Sequence, residues 1–196
     1  MTRKYEMTRR AVGVEETRRR IVEAAVGLHQ ELGPARTTVT AIAERAGVQR
    51  LTVYRHFPDE DSMLAACSAK WAERNPLPKS SDWNGIGDPE KRLRLALEAF
   101  YNYYASEENM LANSIRDAPM ISFVRHRRER FESYLDEVGE GLRKGWGVRG
   151  KPKRHLTTMI GHALRFETWR SLKQQGLGPS QAAELMAIAV TGVARR

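Results

Sequence analysis

The sequence predicts an all-α protein of about nine helices, and two observations carry this prediction. Apolar residues recur with a period near 3.6 along almost the whole chain, whereas the alternation typical of half-buried strands is nearly absent. The breaks in that period fall at residues that end helices, as at Gly33-Pro34 and in GLGP at 176–179. With 196 residues, 41% of them hydrophobic, the chain can form one large domain or two small ones.

The first predicted helix spans about residues 15–32. Its apolar stripe is Ile21, Ala25, Leu28 and Leu32, and Gly33-Pro34 ends it. We expect the basic residues before it, 1–14, to form a disordered arm.

Residues 38–57, TVTAIAERAGVQRLTVYRHF, predict two short helices over about 39–45 and 50–57 that form a helix-turn-helix. Thr38 is the expected N-cap, and Gly47 is expected to have a positive φ at the turn. The side chains expected to lock the two helices together are Ile42, Ala43, Val48, Val53 and Phe57. An ordinary corner between two helices is the alternative.

With that apolar set buried, polar side chains project from the second helix and its N-terminal end. In a helix-turn-helix this helix enters the major groove of DNA. Arg50 is suited to a guanine or a phosphate, Gln49 to adenine, and Leu51 or the Thr52 methyl to a thymine methyl. The predicted DNA-binding residues are Thr38, Gln49, Arg50, Leu51, Thr52, Tyr54, Arg55 and His56.

The remaining helices follow in order. Asp59 is expected to cap a helix that continues to about Arg74. The loop NPLPKSSDWNGIGDP (75–89) follows, anchored by Trp83 and Ile86. Further helices are predicted over about 89–106, 107–116, 120–144, 153–175 and 179–194.

Composition narrows the classes of function. The net charge of +9 favours an anionic partner, and residues 1–58 carry 11 basic against 6 acidic side chains. The single cysteine, Cys67, excludes an intrachain disulfide, fits a cytoplasmic location and is expected to act as a small apolar residue. We expect no signal peptide, membrane span, metal site, cofactor or enzymatic nucleophile, because no motif for any of them is present.

The segment TTVTAIAERAGVQRLTVYRHFPDEDSML (37–64) resembles the N-terminal domain of the tetracycline-repressor (TetR) family of bacterial transcription regulators. The resemblance implies a DNA-binding domain over 15–58 and a helical ligand-binding and dimerisation domain over 59–196. It also implies that Thr38, Tyr54 and His56 touch phosphates, while Arg50, Leu51, Thr52 and Arg55 lie nearest to base edges.

Three residues depart from the family pattern. Gln49 replaces a Ser or Thr, which removes a good N-cap that stabilises by about 1 kcal/mol. Leu51 replaces a Gly and adds apolar bulk. Glu60, between Asp59 and Asp61, stands where a Lys commonly meets a phosphate. Basic residues of the arm, or Arg18 and Arg36, are candidates to compensate.

The resemblance further implies that the C-terminal domain binds a small molecule and that the last two helices form a homodimer. Aromatic and apolar candidates for the ligand site dominate, which favours an apolar or aromatic effector. The predicted ligand-binding residues are Tyr101, Tyr104, Met110, Leu111, Asn113, Arg116, Asp117, Phe123, His162, Phe166 and Trp169. Each of them is alternatively an ordinary core or helix-end residue.

The sequence therefore predicts a dimeric repressor that an effector releases from its DNA operator. One rival is a constitutive or architectural DNA binder whose C-terminal core is filled. A second rival, favoured by the acidic residues 59–61, is a helical interaction protein or enzyme that has lost DNA binding.

Overall fold

A computed structural model describes the backbone of residues 2–195 and the side chains of residues 11–195. This part of the chain forms eleven α-helices, one short 3-10 helix at Pro34–Arg36 and no strand. The prediction of an all-α fold with about nine helices is confirmed. The helices are α1 (Thr2–Glu31), α2 (Val39–Ala46), α3 (Arg50–His56), α4 (Glu60–Arg74), α5 (Ser81–Asn84), α6 (Pro89–Ser106), α7 (Glu108–Asp117), α8 (Ser122–Leu142), α9 (Gly150–Ala163), α10 (Phe166–Gln174) and α11 (Pro179–Ala194).

Helix α1 starts at Thr2 rather than near Glu15. Residues 2–12 contain no Gly or Pro that would end the helix, and α1 continues through Gly13. The backbone of residues 2–14, which the sequence predicts to be disordered, is therefore helical, whereas Met1 and the side chains of residues 2–10 lie outside the described part. At its other end α1 stops at Glu31, one residue earlier than predicted, and Leu32 is exposed rather than part of the apolar stripe.

The chain divides into two compact units, the first made of residues up to 76 together with 112–125. Within it α1 packs against α2 and α4 through buried Ile21, Ala25 and Leu28. Cys67 on α4 is buried here, and burial raises the pKa of its thiol to about 12, so the residue behaves as a small apolar one. This division differs from the predicted boundary at 58/59, because the apolar face of α4 packs on α1.

The second unit comprises residues 77–111 and 126–196, of which the structure describes residues up to 195. Helix α6 packs against α11, and α11 also packs against α9. The predicted anchor Trp83 lies on the short helix α5 and is buried against Phe100, with ring centroids 5.9 Å apart, whereas Ile86 is only half-buried.

The single helix predicted over 153–175 is wrong, since α9 ends at Ala163 and α10 begins at Phe166. Arg165 between them has an extended backbone (φ −76°, ψ 142°). Two buried hydroxyls stabilise this break, because Tyr101 donates to the Ala163 carbonyl (2.8 Å) and Tyr104 to the Leu164 carbonyl (2.6 Å). Sequence periodicity cannot reveal this break, because the hydroxyls that donate to these carbonyls belong to α6, about 60 residues earlier in the chain.

Candidate nucleic-acid interface

Helix α2 and the turn after it have the geometry that the sequence predicts. Thr38 is the N-cap of α2, and its side-chain oxygen accepts a hydrogen bond from the Ala41 amide (3.1 Å). Gly47 ends the helix in the left-handed region (φ 64°, ψ 42°). Of the side chains predicted to lock the two helices together, Ile42, Ala43, Val53 and Phe57 are buried, and Val48 in the turn is half-buried.

Arg20 of α1 holds this turn in place, a role that the sequence did not reveal. Its guanidinium donates to the Ala46 carbonyl and, at 3.1 Å, to the Gly47 carbonyl. The carbonyls at a helix end lack partners within the helix, so the arginine satisfies two of them. Nearby, the Arg18 guanidinium lies 4.9 Å from the centroid of the Phe57 ring, which ties α1 to the end of α3.

Helix α3 buries Val53 and turns its other side chains outward. Leu51 is 64% exposed and Tyr54 is 45% exposed. Of the eight predicted DNA-binding residues, Thr52 and His56 are half-buried and the other six are exposed. Gln49 has the extended backbone of an N-cap but its side chain makes no capping hydrogen bond, which confirms the predicted loss of a cap at α3.

Arginines of the scaffold and arginines of α3 differ in their partners. Arg45 forms an ion pair with Glu31 at 2.7 Å, and the hydrogen bond between them raises the pKa of Arg45 and lowers that of Glu31. Arg74 is likewise paired with Glu23. Within the described side chains, Arg50 and Arg55 have neither an ion pair nor a side-chain hydrogen bond. The outward face of α3 therefore carries two free guanidinium groups.

The acidic residues after α3 have a structural function in α4. Asp59 is the N-cap of that helix and accepts a hydrogen bond from the Ser62 amide (2.7 Å). Glu60 and Asp61 lie in its first turn, where a carboxylate interacts favourably with the positive end of the helix. The departure at Glu60 is thus explained by the stability of α4, without reference to DNA.

Comparisons with known proteins identify the family. The family model of TetR-type bacterial regulatory proteins matches residues 21–67, which contain the helix-turn-helix. The HTH-type transcriptional regulator TtgR of Pseudomonas putida is 35% identical over 184 residues, 93% of this chain and 80% of TtgR. This chain belongs to the TetR family. It is a helix-turn-helix DNA-binding transcriptional regulator, as the sequence predicts.

Solved structures agree with this TetR-family fold. A transcriptional regulator from Rhodococcus sp. Rha1 has a TM-score of 0.63 at 18% identity, over 91% of this chain and 96% of that one. A TetR transcription regulator from Haloarcula marismortui has a TM-score of 0.56 at 20% identity, over 92% and 97% of the two chains. In the described part of the TetR-family chain, no helix is long and apolar enough to cross a membrane.

The aromatic residues predicted for a ligand site of this TetR-family regulator meet in the second unit. Tyr104 lies at the centre, with ring centroids 5.6 Å from Phe166 and 6.1 Å from Trp169. Tyr101 joins it at 6.2 Å. We call Tyr101, Tyr104, Phe166 and Trp169 the aromatic cluster. All four are buried, and burial raises the pKa of both tyrosines.

Three polar residues predicted for the ligand site lie instead in the first unit, on α7. Asn113 donates to the carbonyls of His29 (3.2 Å) and Gln30 (2.8 Å) at the end of α1. Arg116 donates to the Leu32 carbonyl (2.7 Å), and Asp117 accepts from the Ala35 amide (3.0 Å). We call Asn113, Arg116 and Asp117 the α1 clasp, because they bind backbone groups at the end of α1 and in the 3-10 helix that follows it.

The rest of the predicted ligand set does not join the cluster. His162 is exposed, and its backbone carbonyl accepts a hydrogen bond from Thr168 (2.6 Å). Met110 and Leu111 are half-buried in the second unit, and Phe123 is half-buried in the first. The predicted set is therefore divided between the two units, and sequence spacing could not reveal this division, because α7 has residues in both.

Proposed function

We propose that this TetR-family protein is a homodimeric repressor that reads operator DNA with α3. The observation that carries the proposal is the outward face of α3, which presents unpaired polar side chains on a helix fixed by buried Val53 and Phe57. A reading helix needs its side chains free and its backbone fixed, since base contacts depend on position to within a few tenths of an ångström.

Specific base contacts are assigned to the N-terminal part of α3. Arg50 can reach guanine with two parallel hydrogen bonds, and Gln49 can do the same with adenine. Leu51 adds an exposed apolar group that suits the methyl group of thymine. Thr52 and Arg55 complete the reading face.

Phosphate contacts are assigned to the edges of the helix-turn-helix. Tyr54 presents a hydroxyl on a rigid and partly exposed ring. The Thr38 hydroxyl caps α2 and is still exposed, and His56 is half-buried at the end of α3. Such contacts fix the register of the protein on the duplex and carry no sequence information.

Dimerisation is assigned to the last predicted helical segments, now α9–α10 and α11. On α11, Ile188 is 63% exposed and Leu185 is 46% exposed, although the buried side of the same helix packs on α6. A second copy that covers these residues would form a dimer whose two α3 helices are related by a two-fold axis. Such a dimer is required to bind two half-sites in successive major grooves.

The effector is proposed to be a small apolar or aromatic molecule that binds at the aromatic cluster. It can release DNA only if it binds more tightly to the dimer that does not fit the operator. We place the regulator in the bacterial cytoplasm, acting without cofactor or catalysis.

A constitutive DNA binder is the second candidate, and one observation favours it. The hydroxyls of Tyr101 and Tyr104 are already bonded to backbone carbonyls, and the rings of the cluster pack on one another. Tyrosines whose hydroxyls are satisfied in this way fit a filled core as well as a ligand site, although the buried Trp169 indole N–H has no hydrogen-bond partner among the described residues. A thermal-shift screen of aromatic compounds separates the two, because only the effector-dependent regulator gains stability from a compound that also releases DNA.

The DNA proposal is tested by footprinting on the DNA around the gene of this protein. We expect two protected half-sites. Arg50→Ala should weaken the free energy of operator binding by about 1–3 kcal/mol and relax the preference at one base pair. Tyr54→Phe should instead weaken binding to all DNA sequences alike. Arg130→Ala, an exposed arginine on α8 in the second unit, removes the same charge as a control. Absence of any salt-sensitive, sequence-specific protection would contradict the proposal.

A further inference from the structure

The start of α9 carries a basic surface that the helix-turn-helix does not explain. Between Glu140 and Glu167 the chain contains no Asp or Glu and seven Lys or Arg. Four of these form what we call the α9 basic patch: Arg149, Lys151, Lys153 and Arg154. All four are exposed. Within the described part of the second unit, none of their side chains has an ion-pair partner or a hydrogen bond.

Several other arginines of the same unit have acidic partners. Arg165 lies 3.1 Å from Asp136, and Arg128 contacts both Glu132 (2.8 Å) and Glu167 (3.2 Å). Arg143, just before the patch, is paired with Glu140 at 3.4 Å. The four cations of the α9 basic patch, in contrast, lie within six consecutive residues that include no Asp or Glu.

The patch also opposes the stability of its own helix. A helix N-terminus carries partial positive charge and is stabilised by acidic residues, yet the first turn of α9 contains none. Its N-cap is Arg149, whose side chain makes no capping hydrogen bond. Lys151, Lys153 and Arg154 then add three cations where the helix disfavours them. No interaction within the described unit offsets this cost, whereas an anion bound at the patch would offset it.

We propose that the α9 basic patch is a second, sequence-independent contact to the phosphates of DNA. Lys151 and Arg154 are three residues apart and lie on one face of the helix, which presents them together to a row of phosphates. DNA is the polyanion that a regulator of this family meets. This contact is separate from the reading face on α3 and does not depend on the operator proposed above.

A membrane surface fits the patch less well. Helices that lie on membranes combine cations with exposed large apolar side chains. Among the described residues 143–158, no large apolar side chain is exposed. Trp146 is half-buried, and its indole N–H donates to the Leu142 carbonyl (2.8 Å).

The test measures binding of the full-length protein to a non-operator duplex by fluorescence anisotropy over a range of salt concentrations. All variants carry Arg50→Ala and Tyr54→Phe, so that the α3 contacts are already weakened. The patch variant adds Arg149→Gln, Lys151→Gln, Lys153→Gln and Arg154→Gln. The control adds Lys79→Gln, Lys91→Gln, Arg94→Gln and Arg130→Gln, four exposed cations of the same unit that lie outside α9–α11, so both variants lose the same charge.

The patch variant should lose about tenfold or more in affinity at low salt, and the slope of log K against log salt should fall by about 3, against little change in the control. Its melting temperature should be unchanged or higher, which separates lost binding from lost folding. Equal losses in both variants would overturn the proposal in favour of a net-charge effect. Unchanged DNA binding would also overturn it, whether or not the patch variant has lost affinity for vesicles of phosphatidylserine and phosphatidylcholine. These outcomes are independent of whether an operator footprint is found.

Discussion

The reading face of α3 and the aromatic cluster differ in whether their polar side chains already have partners within the protein. Arg50 and Arg55 have no partner among the described side chains, whereas the Tyr101 and Tyr104 hydroxyls are bonded to carbonyls at the α9–α10 break. Residues that read DNA must be left free by the fold, so an exposed polar helix face indicates function. Residues that bind an apolar effector use the same chemistry as a core, so burial alone does not distinguish the two.

The α1 clasp extends this comparison, because its polar residues were predicted for a ligand and instead bind backbone. Gly33 makes the clasp possible. It has φ 90°, and a Cβ there would overlap the side chains of Arg116 and Asp117. If the clasp is structural, the region around Gly33 should tolerate substitution far less well than the reading face does.

Replacing Gly33 with Ala should have the largest effect, lowering the free energy of unfolding by about 4 kcal/mol through overlap and left-handed backbone strain. Urea denaturation measures the change. Gly176→Ala is the control, since Gly176 also has a positive φ (87°) but open space around its Cβ position, and it should cost only about 1 kcal/mol. Equal losses in the two variants would mean that the clasp leaves more room than its contacts indicate.

Lowering the pH should weaken the same region through His29. Burial lowers the pKa of His29 to about 4, a shift that the charge of Asp117 partly opposes. Between pH 6.5 and 4 the unfolded chain therefore binds a proton at this residue that the folded chain does not. Stability is fully present above about pH 6.5 and falls by about 3 kcal/mol as the pH drops to 4.

The measurement is urea denaturation across this pH range for the wild type, His29→Gln and the control His126→Gln. His126 is exposed and provides the matched substitution. The difference between the wild type and His29→Gln isolates His29 from carboxyl groups that titrate nearby. A difference that does not vary with pH would show that His29 is not buried as described.

Removing one hydroxyl from the aromatic cluster should cost less. Tyr104→Phe leaves the Leu164 carbonyl without its buried donor, and should lower the free energy of unfolding by about 2 kcal/mol without changing operator affinity. Tyr101→Phe is the matched variant, with the Ala163 carbonyl affected instead. If either variant keeps full stability but loses its response to an aromatic effector, the cluster is a ligand site rather than a filled core.

The sequence predicted the helix-turn-helix well because its pattern is local. Thr38, Gly47 and Val53 lie within 16 residues of one another, and capping, positive φ and burial each follow from neighbouring residues. The contacts that it missed join distant parts of the chain. Arg20 reaches Ala46, Asn113 reaches His29, and Tyr104 reaches Leu164, and nothing in local periodicity specifies these partners.

Substituting Gln49 should have the smallest effect on stability. It also gives the clearest contrast, because stability should rise while operator affinity falls. Its backbone (φ −77°, ψ 149°) already has N-cap geometry, and its side chain makes no cap. Gln49→Ser should therefore raise the free energy of unfolding by about 1 kcal/mol. The shorter side chain should also weaken operator binding, because it cannot form two hydrogen bonds with adenine. Gln49→Ala separates the two effects, since it removes the reading group without adding a cap. A serine variant that gains stability and keeps full operator affinity would show that Gln49 does not read DNA, and the departure from the family pattern would then have no explanation in α3.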